Sequence, residues 1–247
     1  MDRIFYAIQD FAITAARGTE IDFSVLPLDV QAWAATYVPG VERMPKKLAR
    51  YILTALVAKT LTARFDPKNF FGLPAKQGTI DAAAHLAKSF AGADAVETKS
   101  WLESTWRLLA TTDGLALQSS DAALVEDIVR EVHVTLSPAM HGKWPSAAPT
   151  KLRKISASAI ELFRAMHRSK AVFNIHFMEA KAAVGTHVFE PNLMQAVANA
   201  DEDGAIENMG LLLSAFPAVF KSGDEMGHNR EKWTLICKAK MLLQESL

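Results

Sequence analysis

Lys46–Phe65, KKLARYILTALVAKTLTARF, is the stretch on which the fold turns. It contains no glycine or proline, follows Pro45 and ends before Asp66-Pro67. Proline suits a first helical turn, where its missing N–H costs nothing, and a residue preceding proline is pushed out of the helical region. Leu48, Tyr51, Ile52, Ala55 and Leu56, with Leu61 further on, repeat at helical spacing, while Lys46, Lys47, Arg50, Lys59 and Arg64 supply cations. The pattern predicts a helix with one face in the core and the other positively charged.

Working outward, the spacing stays helical. Ile4, Phe5, Ile8, Phe11, Ala12 and Ala15 form one stripe that predicts a first helix ending near Arg17-Gly18. A short helix is expected over 29–38, between Pro27 and Pro39-Gly40. Beyond the opening stretch, 66–78 reads as a loop. Thr79 caps a helix to about residue 90, and another follows over about 96–111. Ser120 or Asp121 caps a helix to about Leu136. SPAMHGKWPSAAPT (137–150) breaks the pattern with three prolines and a glycine. A long helical stretch over 150–184, kinked near Ser169, is expected next, then helices over 191–200 and 203–216. A last helix from Asn229 carries Trp233, Ile236 and Leu242, although WTLICKAKMLL (233–243) suits a strand equally by periodicity. The reading is an all-α chain of two helical lobes: an N-terminal helical arm (1–18), an N-terminal lobe (19–140) and a C-terminal lobe (141–247).

Composition sets the outer bounds. A chain of 247 residues, half of them hydrophobic, buries a sizeable core. One cysteine, Cys237, excludes an internal disulfide framework and any cysteine-based zinc site. Its role stays open between apolar packing and a thiol sensitised by adjacent lysines. MDRIFYAIQDFAITAARG carries Asp2 and Asp10 and lacks an apolar h-region, so no signal peptide is expected. No run approaches 18 apolar residues without charge, so no membrane span is expected either.

Net charge is zero, but the charge is sorted. Residues 43–76 hold eight Lys/Arg and one acid, and 143–181 hold eight Lys/Arg and two acids. Nine acids lie in 77–142 and nine in 190–247. A partner responds to the local field and not to the sum, so two basic blocks that meet can form a groove for phosphates. Solvated helix faces are the plainer account of the same runs. From the first block the candidates for RNA contact are Lys46, Lys47, Arg50, Lys59, Arg64 and Lys68. From the second they are Lys151, Arg153, Lys154, Arg164 and Arg168. Phe70 and Phe71, paired in the loop, are candidates for stacking on bases, and Phe65 is a weaker one because core filling suits it better.

Other chemistry is sparse. His176 and Glu179 sit three apart, with His167, His187 and Glu161 near in sequence, but the second set of carboxylates that a helical di-metal centre needs is not apparent. No Gly-x-Ser-x-Gly elbow and no glycine-rich phosphate loop ending in Gly-Lys-Ser/Thr occurs. No metal, cofactor or catalytic set is expected, and the chain is not read as an enzyme. The first helix either packs on its own core or docks on the next copy through Ile4, Phe5, Ile8 and Phe11. Head-to-tail docking of that kind makes rings or filaments.

Several short patches occur in an order that resembles the nucleoproteins of phenuiviruses, the phlebovirus and tenuivirus group. They are FAITAARGTEI (11–21), LTARFDPK (61–68), LSPA (136–139) with Pro145-Ser146 and Leu152-Arg153, and FEPNLMQAVAN (189–199). The chain departs from them where Ala63 interrupts the Leu-Thr-Arg-Gly segment and Phe65 replaces its glycine. The resemblance implies an all-helical protein that self-assembles through its arm and encapsidates single-stranded RNA, without sequence preference, in a basic groove between lobes. It implies Arg64 and Lys68 as RNA contacts, and a virion and host-cytoplasm location; without it a cytoplasmic location is expected. The alternative is a helical adaptor for other proteins with no nucleic-acid role, its charge blocks complementing those of partners.

Overall fold

The computed structural model of the chain describes residues 1–17, 20–41, 46–65, 95–112, 114–180, 189–197, 211–224 and 226–243. The opening stretch forms a 3₁₀ turn, Lys46–Leu48, and then helix α3, Ala49–Ala63. This helix is not half solvated. Eleven of its 15 residues are buried, on all sides. Helices apolar all round belong in the middle of a fold, and α3 lies there, with helix α1 (Asp2–Ala16) packed on it and a sheet against it.

The stripe read in α1 is the face it buries: Ile4, Phe5, Ile8, Phe11, Ala12 and Ala15. Helix α2 spans Leu28–Tyr37. Among the described residues three more helices follow: α4 (Ala95–Thr112), α5 (Gly114–Leu136) and α6 (Ala148–Arg168). Ser120 and Asp121 lie inside α5 and do not cap it. Helix α6 opens with Pro149 near its first turn and packs against α1, α4 and α5.

The all-α expectation is overturned beyond Arg168. Among the described residues six strands follow: β1 (Val172–His176), β2 (Met194–Ala196), β3 (Leu211–Phe216), β4 (Ala218–Ser222), β5 (Trp233–Cys237) and β6 (Ala239–Leu243). They form two small sheets, ordered β1-β4-β5 and β2-β6-β3. Every pairing is antiparallel except that of β2 with β6. Pro217 alone separates β3 from β4, and Lys238 alone separates β5 from β6. Ser214 faces Met241 and Phe220 faces Leu235, and the antiparallel pairing shifts register between 211 and 213, 214 and 216, and 219 and 220, so the two hairpin halves make a bent ribbon. Proline has no N–H to give the ladder, which accounts for the break at 217. Strand β1 extends the ribbon on the β4 side, and β2 extends it on the β6 side.

The strands escaped sequence reading for a physical reason. All five residues of β6 are buried, and all of β3 except Leu212. A strand covered on both faces shows no in–out alternation and reads as a plain apolar run. The long helix expected over 150–184 stops at Arg168, and 172–176 is strand. In place of a helix over 191–200 there is a turn and then β2. The helices expected over 203–216 and from Asn229 are strands where they are described. The loop at 66–78 and the helix from Thr79 lie outside the described residues.

The residues expected to anchor an arm on a neighbouring copy pack within this chain. Phe5 is 2% exposed, and Ile8 and Phe11 are fully buried, inside the chain's own core. Phe5 meets Phe216 of β3 edge-on with ring centroids 5.5 Å apart. One hydrophobic cluster gathers residues from α1, α3, α5, α6 and the ribbon, on both sides of the supposed boundary near residue 140. A smaller cluster fills the ribbon's other side around Phe189, Met194 and Met241.

Candidate functional site

The charge blocks find each other inside the chain. Helix α6 lies between α1 and α5, and its cations reach both ways. Arg153 grips Glu126 of α5 with two bonds, Nε to Oε1 at 2.6 Å and Nη2 to Oε2 at 3.0 Å. Arg164 holds Asp121 of α5 in the same forked manner, with Nη1 to Oδ2 at 2.6 Å. Lys151 reaches Asp10 and Thr14 of α1, at 2.6 and 2.8 Å. At the end of α3, Arg64 pairs with Glu131 of α5. Lys46 pairs with Glu20 at 2.6 Å. Hydrogen bonds from Arg153 and Lys46 hold the Glu126 and Glu20 carboxyls below their usual range.

Five of the eleven candidate cations are thus tied to acids of the same chain. Arg50 donates to Tyr51 Oη at 2.7 Å. Lys154 and Arg168 are exposed on α6. Lys68, Phe70, Phe71 and the Lys47 side chain lie outside the described residues. Among the described residues, Lys46, Arg64, Lys151, Arg153 and Arg164 of the expected basic groove are engaged with acids of the chain. His176 stands exposed on β1, while His167 is buried beneath Phe65, so they share no helix face. Among the described residues no three His, Cys, Asp or Glu side chains come together as a metal site would need.

Lys59, the remaining cation of α3, stands at a recess. It opens where α2, the end of α3 and β1 meet, and it encloses about 290 Å³. Trp33 comes from α2, Lys59, Thr62 and Phe65 from α3 and its end, and Phe173, Asn174 and Phe177 from β1 and beyond. The elements hold these rings firmly. Phe177 meets Trp33 at a right angle, with centroids 5.2 Å apart, and Tyr37 packs behind both. Ala180 N–H donates to Thr36 C=O at 3.1 Å, tying the chain after β1 to α2. Phe65 leans on Phe163 and His167 of α6. The Lys59 ammonium lies 5.8 Å from the Trp33 ring centroid, within cation–π range. Half-buried aromatic walls, one ammonium and the exposed amide of Asn174 suit a planar ring carrying negative charge nearby. The volume sits at the small end of ligand pockets, about 300 Å³, enough for a single such group.

Lys59, Arg64 and Phe65 were legible as candidates from the sequence. Trp33, Phe173 and Phe177 were not, since they converge from two separate segments, α2 and the β1 region, and none carries a motif.

No protein-family model matches the chain, and no curated protein or solved structure matches it either. Among the described residues no helix is long and apolar enough to cross a membrane. The class the architecture defines is a mixed α/β protein, helices packed on a bent β-ribbon.

Proposed function

We propose that the chain binds single-stranded RNA through a short contact at the recess between α2, α3 and β1. The observation that carries this is the Lys59 ammonium set beside an open group of aromatic rings. Aromatic side chains stack on any base, and a lysine at the rim takes the adjoining phosphate, so such a contact needs no sequence preference. Arg64 and Phe65 lie one turn further on, and Lys68, Phe70 and Phe71 follow in the sequence. Packaging, with copies of the chain lined along a strand as in the nucleoproteins it resembles in patches, is the fuller form of the same proposal. The adaptor reading has a weaker charge argument, because Arg64, Arg153 and Arg164 hold Glu131, Glu126 and Asp121 of the same chain.

Binding of a fluorescein-labelled oligouridine, followed by anisotropy, tests the contact. Trp33→Leu and Lys59→Ala should each weaken it by about tenfold while circular dichroism stays unchanged, since a lost base stack alone is worth about 1–3 kcal/mol. Unchanged affinity in both variants sinks the recess as the contact, and no binding by the parent chain sinks the RNA reading itself.

A further inference from the structure

We propose that a groove between α6, α1 and β5 docks an amphipathic helix of a partner protein that carries acids at one end. Two clefts of about 340 and 310 Å³ share Met1 and Leu162 and so form one continuous trough. Along α6 it runs from Lys154 to Met166, about 18 Å at 1.5 Å per residue, or roughly three helical turns. Its floor is apolar: Ile4 and Ile155 at one end, Met166 and Val219 at the other, all buried.

Two features say what would fill it. The first is charge. On α6, Lys151, Arg153 and Arg164 each grip an acid of this chain. Lys154 does not, and neither does Arg3 across the groove; both are exposed, and among the described residues neither lies within ion-pair distance of an acid, although Glu161 lines the same cleft. On a helix where three of the five Lys/Arg hold acids of this chain, Lys154 and Arg3 opposite it suit acids from elsewhere. Exposed Glu161, midway along the trough, disfavours a phosphate chain and suits a peptide with an acid at one end and a neutral or basic middle. The second is Ile236. The register skips it, pairing Val219 with Cys237 and Phe220 with Leu235. A bulge of this kind re-aims the side chain of the extra residue, and Ile236 is left 53% exposed at the apolar end of the trough. A helix presenting one large apolar residue there, and acids over Arg3 and Lys154 three turns away, matches both ends.

The test is selection of 14-residue peptides from a phage-displayed library, apolar at i, i+3, i+4 and i+7 and random elsewhere, against the intact chain. The expected binders carry an excess of Asp and Glu at one end. Their affinity should fall about tenfold against Arg3→Glu/Lys154→Glu, the order expected for two lost rim pairs near an apolar contact. It should recover when the peptide acids are changed to lysine, a charge swap that damage to folding could not mimic. Leu162→Lys should remove binding while the oligouridine affinity is kept. Binders without acid excess, binders indifferent to the double variant, or no enrichment would each overturn the proposal. Self-association of the parent chain that Arg3→Glu/Lys154→Glu dissolves would also overturn it, by making the occupant a second copy.

Discussion

The helical layer and the β-ribbon differ in how they are held. Between α6 and its neighbours α1 and α5, an apolar seam is flanked by matched charges: Asp10 with Lys151, Glu126 with Arg153, Asp121 with Arg164. In the ribbon, β3 and β6 are buried on both faces and leave little room for charge. The exception is Lys240, 4% exposed in β6, and it is where the two regions are stitched together. Its Nζ donates to Asp2 of α1 at 2.7 Å and to Gln195 of β2 at 2.5 Å, and lies 5.6 Å from the Phe5 ring. The comparison teaches that sorted charge in a sequence can be a folding device. An acidic helix and a basic helix that lie side by side need no outside polyanion.

The largest effect that would break this picture concerns α1. If it were a detachable arm, removing residues 1–16 would leave a folded monomer. With Phe5, Ile8 and Phe11 inside the core, the truncated chain should instead lose cooperative thermal unfolding; a sharp transition in calorimetry would restore the arm. Next, Phe11→Ala should destabilise the helical layer by about 3–5 kcal/mol, and Leu213→Ala the ribbon by about 2–5 kcal/mol. The two should act on one denaturation transition, since one hydrophobic cluster joins both regions. Separate midpoints by fluorescence and circular dichroism would show two units.

The stitch at Lys240 should be smaller and dependent on pH. A hydrogen bond from Lys240 is the main cause of the depressed Asp2 pKa. A carboxyl whose folded pKa lies below its unfolded value adds stability that is fully present above the unfolded pKa, about 3.9, and lost as pH falls through the folded value. Asp2→Asn should therefore cost stability at neutral pH and flatten the acid limb of the stability curve below about pH 4. The loss expected is about 1–2 kcal/mol, the exposed carboxylate being discounted for solvent screening and the buried ammonium keeping Gln195. An acid limb identical to the parent's would remove Asp2 from the stitch. Cys237 is near enough to donate to Asp2, with Sγ to Oδ1 at 3.9 Å. Burial, reinforced by the Asp2 charge, raises its pKa, so the thiol should resist iodoacetamide at neutral pH, and Asp2→Asn should change that little. The smallest effect belongs to the exposed pair of Glu126 and Arg153: Arg153→Ala should leave the thermal midpoint within experimental spread, and less of any difference should survive in high salt.

Much of the helical layer was legible because its periodicity is real. The stripe Ile4, Phe5, Ile8, Phe11, Ala12 and Ala15 is the face that α1 buries, and the stop at Asp66-Pro67 falls just past the end of α3. The ribbon was not legible, since LLLSAF and AKMLL show no alternation when both faces are covered, and WTLIC adds a bulge that upsets its period. Lys59 and Arg64 could be picked by charge and Phe65 by its neighbours. What sequence could not tell was which cations the chain spends on its own acids, because Arg164 and Asp121 are 43 residues apart and meet only through the packing of α5 on α6.

The measurement closest to the central claim is the salt dependence of oligouridine binding between 50 and 300 mM salt, on the order of the range over which phosphate contacts are read out. A contact made by Lys59 and at most one neighbour predicts a slope of log K on log salt of about −0.7 to −1.4, since each neutralised phosphate on a single strand contributes about −0.7. A slope of about −4 or steeper would mean that six or more cations act together, and would contradict the account in which the chain's own acids hold them.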